Sequence, residues 1–194
     1  MKNELKRKPY WYIKRVIDII LSLILIVITL PLMLITLIIL LINLGFPIFN
    51  QLRYREGLYK KTFLMLKFRT KKLTSDNLPI IKRYTKATYL IDRLKLNELP
   101  QLFNILIGQM SFVGPRPFIP GEKLPKDKIS DKRYLVRPGV TSLAFVRDEG
   151  MMDHKSKLIC DIDYYDNFGF KQDLMIFLNT PIYMVRRFNY YSKK

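Results

Sequence analysis

The residues best suited to chemistry in this chain lie between Leu96 and Pro117. The segment Leu96-Asn97-Glu98-Leu99-Pro100-Gln101 has the punctuation of a short helix. Asn97 is a good N-cap, Pro100 is tolerated in a first turn whose N–H groups lack intrahelical partners, and Gly108 suits the stop. Leu99, Leu102, Phe103 and Leu106 would form its apolar face. Asn97 and Glu98 would then stand at a helix N-terminus, where free N–H groups and the dipole attract phosphate. Capping alone asks for the same residues. Downstream, Arg116 sits between Pro115 and Pro117. Proline on both sides restricts the backbone, so the guanidinium stands on a stiff support and can bind two phosphate oxygens at once. A stiff surface turn is the plainer use of those residues. The single His154, among charged neighbours, reads as a solvated side chain. The single Cys160 excludes an internal disulfide and a cysteine zinc site, and fits a reducing compartment.

Such residues need a support, and the largest element belongs in lipid. From Ile19 to Gln51 there is no charged side chain, and most positions are Ile or Leu. The run is apolar all round and longer than the ~20 residues that cross a bilayer. Pro31, near its middle, predicts a bend or break. Each half, about fifteen residues, rises only ~22 Å as a helix against a hydrocarbon core of ~30 Å. Lys2, Lys6, Arg7, Lys8, Lys14 and Arg15 precede it; Arg53, Arg55, Lys60, Lys61, Lys67, Arg69, Lys71 and Lys72 follow. Basic residues beside membrane segments prefer the cytoplasmic side. Together these features favour a re-entrant hairpin over one tilted, kinked span, which proline also permits. The run is too long for a cleaved signal peptide and has no small-residue cleavage site. Tyr10, Trp11 and Tyr12 suit the headgroup zone, and Asp18 is expected to pair with Arg15 or Lys14.

With 194 residues, the chain has one modest domain outside the lipid segment, giving units at 1–52 and 53–194. The net charge of +18 suits an anionic inner leaflet, where each basic side chain is worth ~1 kcal/mol, and phosphate-bearing substrates. No helix-turn-helix or RNA-binding signature supports a nucleic-acid partner. Residues 71–92 read as a surface loop with one short helix, and 118–134 as a loop over the site. The run from Leu174 to Lys194 reads as interfacial or packed on the domain, being too short to span.

Three segments together carry a specific resemblance: NELPQLFN at 97–104, MSFVGPRP at 110–117 and VRPGVT at 136–141. They resemble the bacterial sugar transferases, the small monotopic phosphoglycosyl transferases. The likeness extends over nearly the whole chain, with Arg15, Asp18 and Pro31 where the family has a basic residue, an acid and a membrane-helix break. It implies an α+β, mainly helical fold: an N-terminal re-entrant helix-break-helix and a small cytoplasmic domain with interfacial amphipathic helices. It implies an enzyme on the cytoplasmic face of the bacterial inner membrane. That enzyme would move a sugar-1-phosphate from a UDP-sugar to polyprenyl phosphate, release UMP and initiate surface-glycan synthesis. Downstream glycosyltransferases are the implied protein partners.

Carried over by position, the resemblance makes Asn97 and Glu98 the catalytic pair. It makes Lys67, Arg69, Arg116, Arg137 and Arg55 substrate-binding candidates, with Lys67 and Arg69 in KFRT. The segment 161–167 resembles the family's D-x-Y-Y-x-x-N and puts Asp161 on a functional acid. Mg²⁺, which prefers oxygen ligands and bridges phosphates, would be held by Glu98 and Asp161, the plainer alternative for Asp161 being a solvated helix face. The chain also departs from the family. Asn97 stands where the family has the Asp nucleophile of DELPQ, and an amide is a very poor nucleophile. Asp92 stands where an arginine is usual, Gln109 where Asp is usual, and Ser142 and Phe145 replace Gly and Gln. Three outcomes follow from Asn97: a variant route in which Glu98 is the pair's only carboxylate, a disabled enzyme, or a relative that binds substrates without turnover.

Overall fold

The computed structural model describes residues 4–49, 54–73, 79–121, 130–147 and 152–192. Parts of the expected loops (74–78 and 122–129) lie outside the described residues, as do Lys2, Arg53, Lys193 and Lys194. The described residues are mainly helical, with two small sheets. Helix α1 spans Tyr10–Leu44, α2 Lys86–Arg93, α3 Gln101–Leu106, α4 Leu143–Arg147, α5 His154–Asp166 and α6 Phe170–Ser192. Strands β1 (Tyr54–Glu56) and β2 (Thr62–Leu64) pair antiparallel; β3 (Ser111–Val113) and β4 (Gly139–Thr141) pair parallel.

At 35 residues, α1 is the one described helix long and apolar enough to cross a membrane. Helical geometry runs through Pro31, so the expected interruption does not appear as a gap in the helix. Proline removes one backbone donor, and nearby Thr29 Oγ1 donates to the Leu25 carbonyl at 2.7 Å. The helix is not uniform around its axis. Trp11, Asp18, Ser22, Met33, Thr36 and Leu40 are buried, at helical spacing along one stripe. Asn43, near the same stripe, accepts from Thr85 Oγ1 at 3.0 Å. The outward face is aliphatic, with Val27 72% and Ile42 79% exposed. A soluble helix turns its apolar side inward. Here the polar side chains face the protein and the aliphatic ones face out, which suits a lipid surrounding.

The expected partners of Asp18 and the aromatics are corrected. Asp18 Oδ1 accepts from Ser111 Oγ at 3.1 Å and the Phe112 N–H at 3.2 Å, not from Lys14 or Arg15. Lys14 instead pairs with Asp173 on α6, and Arg15 reaches α3. Trp11 is buried beside Phe168, and Tyr10 OH donates to Asp173 at 2.6 Å; only Tyr12 of the three stays on the surface. These aromatics anchor a core of Val113, Val136, Leu143, Tyr164 and Ile176. A second core joins Met33 of α1 to Phe63, Leu102, Ile105 and Met110, and a third joins Leu40 to Phe68 and Ile91. α6 buries Ile176 while Leu178, Ile182 and Val185 stay exposed, so it packs on the domain and keeps an apolar outer face.

The GPRP and RPGVT segments form one unit. Ser111 N–H donates to the Pro138 carbonyl at 2.9 Å, Gly114 N–H to Thr141 at 3.0 Å and Gly139 N–H to Pro115 at 2.9 Å. The main chains approach so closely that a Cβ on Gly139 would lie 2.1 Å from the Gly114 nitrogen. Only glycine fits there.

Candidate active site

Two reversals of the chain build the site. Thr85 caps α2 by accepting from the Thr88 N–H, and Thr88 returns a side-chain contact to the Thr85 N–H. α2 ends at Arg93; Lys95 then adopts a left-handed conformation (φ 61°), and residues Leu96–Glu98 form a single 3-10 turn before α3. Asp92 is thereby folded back onto Asn97. Asn97 Nδ2 donates to Asp92 Oδ1 at 2.5 Å. Asp92 Oδ1 also accepts from Thr70 Oγ1 at 3.1 Å, and Oδ2 from the Tyr84 hydroxyl at 3.0 Å.

This corrects the expected role of Asn97. Its side chain is fully buried and serves Asp92, and Pro100 takes the N-cap position of α3. The buried face of α3 also differs from expectation: Gln101, Leu102, Asn104 and Ile105 are buried, while Phe103 is exposed. The polar pair is accommodated by hydrogen bonds. Asn104 accepts from the Leu66 N–H at 2.9 Å and donates to the Leu64 carbonyl at 2.9 Å; Gln101 donates to Glu98 Oε2 at 3.4 Å.

Lys67 and Glu98 are brought together as a 2.8 Å ion pair, with Lys95 3.7 Å from the same carboxylate oxygen. The Phe68 N–H, beside Lys67, donates to the Asn97 carbonyl at 2.9 Å, which ties the KFRT strip to the turn. Burial alone would raise the Glu98 carboxyl, but Lys67 and then Lys95 outweigh it and hold Glu98 below the ordinary range. Burial likewise raises Asp92, yet the Tyr84 hydroxyl, Lys67, Thr70 and Lys95 together leave it lowered. Both carboxylates are therefore ionised at neutral pH. The site holds two negative groups, two lysines and two neutral amides, Asn97 on Asp92 and Gln101 on Glu98.

The opposite end of α3 is held by arginines. Arg15 of α1 donates to the Ile105 and Leu106 carbonyls, both at 2.7 Å, and Arg137 donates to the Gly108 carbonyl at 3.0 Å. Gly108 ends the helix as expected, with φ 87°. Arg137 also lies over the Trp11 ring, 5.4 Å from its centroid, at the end of α3 away from Glu98. Arg69 is buried and donates to the carbonyls of Pro47 (2.6 Å), Lys71 (3.0 Å), Leu44 (3.0 Å) and Gly45 (2.8 Å), closing the end of α1. Arg55 lies on β1 and donates to the Tyr54 carbonyl at 2.8 Å.

Arg116 is exposed, and its carbonyl accepts from Arg133. Arg133, which the motifs did not single out, is buried against the Phe118 ring and lies 3.2 Å from Asp161. Burial raises the Asp161 carboxyl to about 7, with Arg133 pulling the other way. Asp161 does not fit a shared Mg²⁺ site with Glu98: it is enclosed beside Arg133, whereas Glu98 faces Lys67. No cluster of three acidic, His or Cys side chains suited to a metal occurs among the described residues. Glu98 is partly open to solvent and paired with Lys67. Asp92, Thr70 and Tyr84 also escaped the motif reading; the one available signal was the acid at a position usually held by arginine.

Comparisons with known proteins bear on this arrangement. A family model described as bacterial sugar transferase matches residues 9–187. An uncharacterized sugar transferase of Bacillus subtilis, EpsL, is 34% identical over 172 residues, covering 87% of this chain and 85% of its own. The UDP-glucose:undecaprenyl-phosphate glucose-1-phosphate transferase of Caulobacter vibrioides is 32% identical over 185 residues, 86% of this chain and 67% of its own. The undecaprenyl-phosphate galactose phosphotransferase of Salmonella typhimurium is 29% identical over 208 residues; these cover 96% of this chain but only 43% of the relative. Segments far apart in sequence converge on one short helix, and the family model covers all of them: the chain belongs to the bacterial sugar transferase family.

Proposed function

We infer that this protein transfers a sugar-1-phosphate from a UDP-sugar to polyprenyl phosphate and releases UMP, as the first step of a surface glycan. The observation that carries this reading is the placement of a charged cluster, Lys67, Asp92, Glu98 and Lys95, beside a helix whose outer face is aliphatic. A phosphate on a lipid tail and a soluble nucleotide sugar can meet only at such a boundary. The Salmonella relative, an undecaprenyl-phosphate galactose phosphotransferase, and the Caulobacter relative, a UDP-glucose:undecaprenyl-phosphate glucose-1-phosphate transferase, support the same reaction class.

In this reading α1 is re-entrant and both its ends lie on the cytoplasmic face. Support comes from its two ends holding one domain: Lys14 pairs with Asp173, and Asn43 bonds Thr85. Basic side chains along the domain then meet anionic lipid. Lysines and the exposed Arg116 offset the diphosphate charge. Mg²⁺ bound with the nucleotide would add further neutralisation, with Glu98 as its protein ligand. Asp161 with Arg133 supports the loop that carries Arg116 instead of holding metal.

Asn97 favours a second reading, a membrane protein that binds these substrates as a scaffold without turnover. UMP release separates the two. The chain, reconstituted with undecaprenyl phosphate and Mg²⁺, should release UMP from at least one of a panel of UDP-sugars. UDP-sugar binding without UMP would favour the scaffold. Arg116→Ala should weaken UDP-sugar binding about tenfold or more, the loss of one charge-assisted contact; unchanged binding would remove Arg116 from the site.

A further inference from the structure

We propose that Asp92, not Asn97 or Glu98, is the nucleophilic carboxylate of this chain, and that Asn97 positions it. The proposal rests on the transferase reading above. Of the two carboxylates at the site, Glu98 is committed to Lys67 at 2.8 Å and Lys95 at 3.7 Å, so its charge is matched by ammonium groups. The three hydrogen-bond donors to Asp92 among the described residues are Thr70, Tyr84 and Asn97, all neutral; Lys67 and Lys95 act on it only through space, without an ion pair. A carboxylate has four acceptor positions. Three are filled here, and among the described residues one position on Oδ2 accepts no hydrogen bond, on a side chain that is half-buried rather than enclosed. Asn97 is aligned for support: with Nδ2 bound to Asp92, its Oδ1 is a buried oxygen with no hydrogen-bond partner. Leaving that oxygen unpaired costs ~1–3 kcal/mol, so the bond from Nδ2 to Asp92 is kept against a local penalty. The amide delivers an N–H to Asp92 within 2.5 Å of an atom in its own side chain. The nucleophilic oxygen is therefore displaced from residue 97 by one hydrogen bond, and the reacting centre moves little.

The step balances without redox chemistry. An Asp92 oxygen bonds to the β-phosphorus of the UDP-sugar, and the bridging P–O bond breaks with its electron pair on UMP. An oxygen of polyprenyl phosphate then bonds to the same phosphorus, and the acyl P–O bond breaks to restore the carboxylate. Lys67 stands near both carboxylates and offsets charge on the transferring group.

The test uses the full chain in lipid nanodiscs with UDP-glucose, UDP-galactose and UDP-N-acetylglucosamine labelled with ³²P in the β-phosphate, without acceptor. Borohydride reduces an acyl phosphate to an alcohol that survives digestion, turning aspartate into homoserine. Trypsin separates residues 87–93, which carry Asp92, from 96–123, which carry Glu98. The expected result is covalent label in the chain as given, homoserine at position 92, and loss of both label and UMP release, by on the order of 10³-fold or more, in Asp92→Asn. Reduction product at Glu98 would overturn the proposal and leave the transferase reading intact. UMP release without covalent label on the chain, and indifferent to Asp92→Asn, would do the same. Silence in the given chain with turnover in the double variant Asn97→Asp/Asp92→Arg would also overturn it, while supporting the transferase site. Silence in every variant would sink both.

Discussion

The two ends of α3 are built from different materials. At its C-terminal end, arginines from remote segments give their N–H groups to main-chain carbonyls: Arg15 to Ile105 and Leu106, Arg137 to Gly108. At its N-terminal end, side chains bond side chains: Asn97 and Tyr84 to Asp92, Lys67 to Glu98. A bond to a carbonyl constrains one partner absolutely, since the carbonyl cannot be exchanged. A bond between side chains can be rewritten from both sides while the backbone stays in place. Asp92 and Asn97, which touch each other through side chains, both depart from the motifs the chain resembles, whereas Arg15 and Arg137, which hold carbonyls, match them.

The contrast can be broken most forcefully at its rigid side. Gly139→Ala would drive a Cβ to within 2.1 Å of the Gly114 nitrogen, and should cost more than about 4 kcal/mol or prevent folding. Near-normal yield and thermal unfolding of that variant in detergent would refute the backbone-locked frame. Arg15→Ala should follow, at about 3 kcal/mol, because two carbonyls lose charge-assisted donors at once. Arg15→Lys, which cannot span both, should recover only part.

The exchangeable end should respond less, and with a pH signature. Asn97→Asp places a carboxylate 2.5 Å from Asp92. One of the two must then keep a proton, so the pair's titration moves up. Stability gained from a raised carboxyl is present at acid pH and lost as pH rises. The variant should therefore be less stable than the original at pH 7, by about 1–2 kcal/mol, and approach it near pH 4. Equal stability across that window would dismiss the Asp92–Asn97 contact. Lys67→Met should have the smallest effect, about 1 kcal/mol at neutral pH, since Glu98 is partly solvated. Glu98 and Asp92 are lowered in the folded protein, so their contribution is full above the ordinary carboxyl range and fades as pH falls through their folded values. Without Lys67, acid-induced loss should begin at a higher pH.

Much of the frame could be read from residue types alone. The uncharged run gave α1, Gly108 gave the stop of α3, and two glycine- and proline-bearing segments turned out to be one parallel pair. The partners of polar side chains were less legible. Asp18 finds Ser111, and Tyr10 finds Asp173, across separations that no local pattern encodes. Asp92 and Asn97 are only five positions apart, yet their contact depends on Lys95 adopting a left-handed conformation that lysine rarely takes. Apolar periodicity also misplaced the buried face of α3, because Gln101 and Asn104 enter the interior with their hydrogen bonds satisfied.

The inward polar stripe of α1 has a consequence for the protein's birth. Asp18 receives its hydrogen bonds from Ser111 and Phe112, which lie 93 and 94 residues later. A ribosome adding roughly 5–20 residues per second needs about 5–20 s to reach them. During that interval α1 can already meet lipid while its carboxylate, serine and threonines still lack the surfaces that will cover them. The aliphatic flank can be seated from the start, whereas the polar flank must wait. The membrane thus holds one side of the helix open as a template, and the later chain completes the protein by closing onto it.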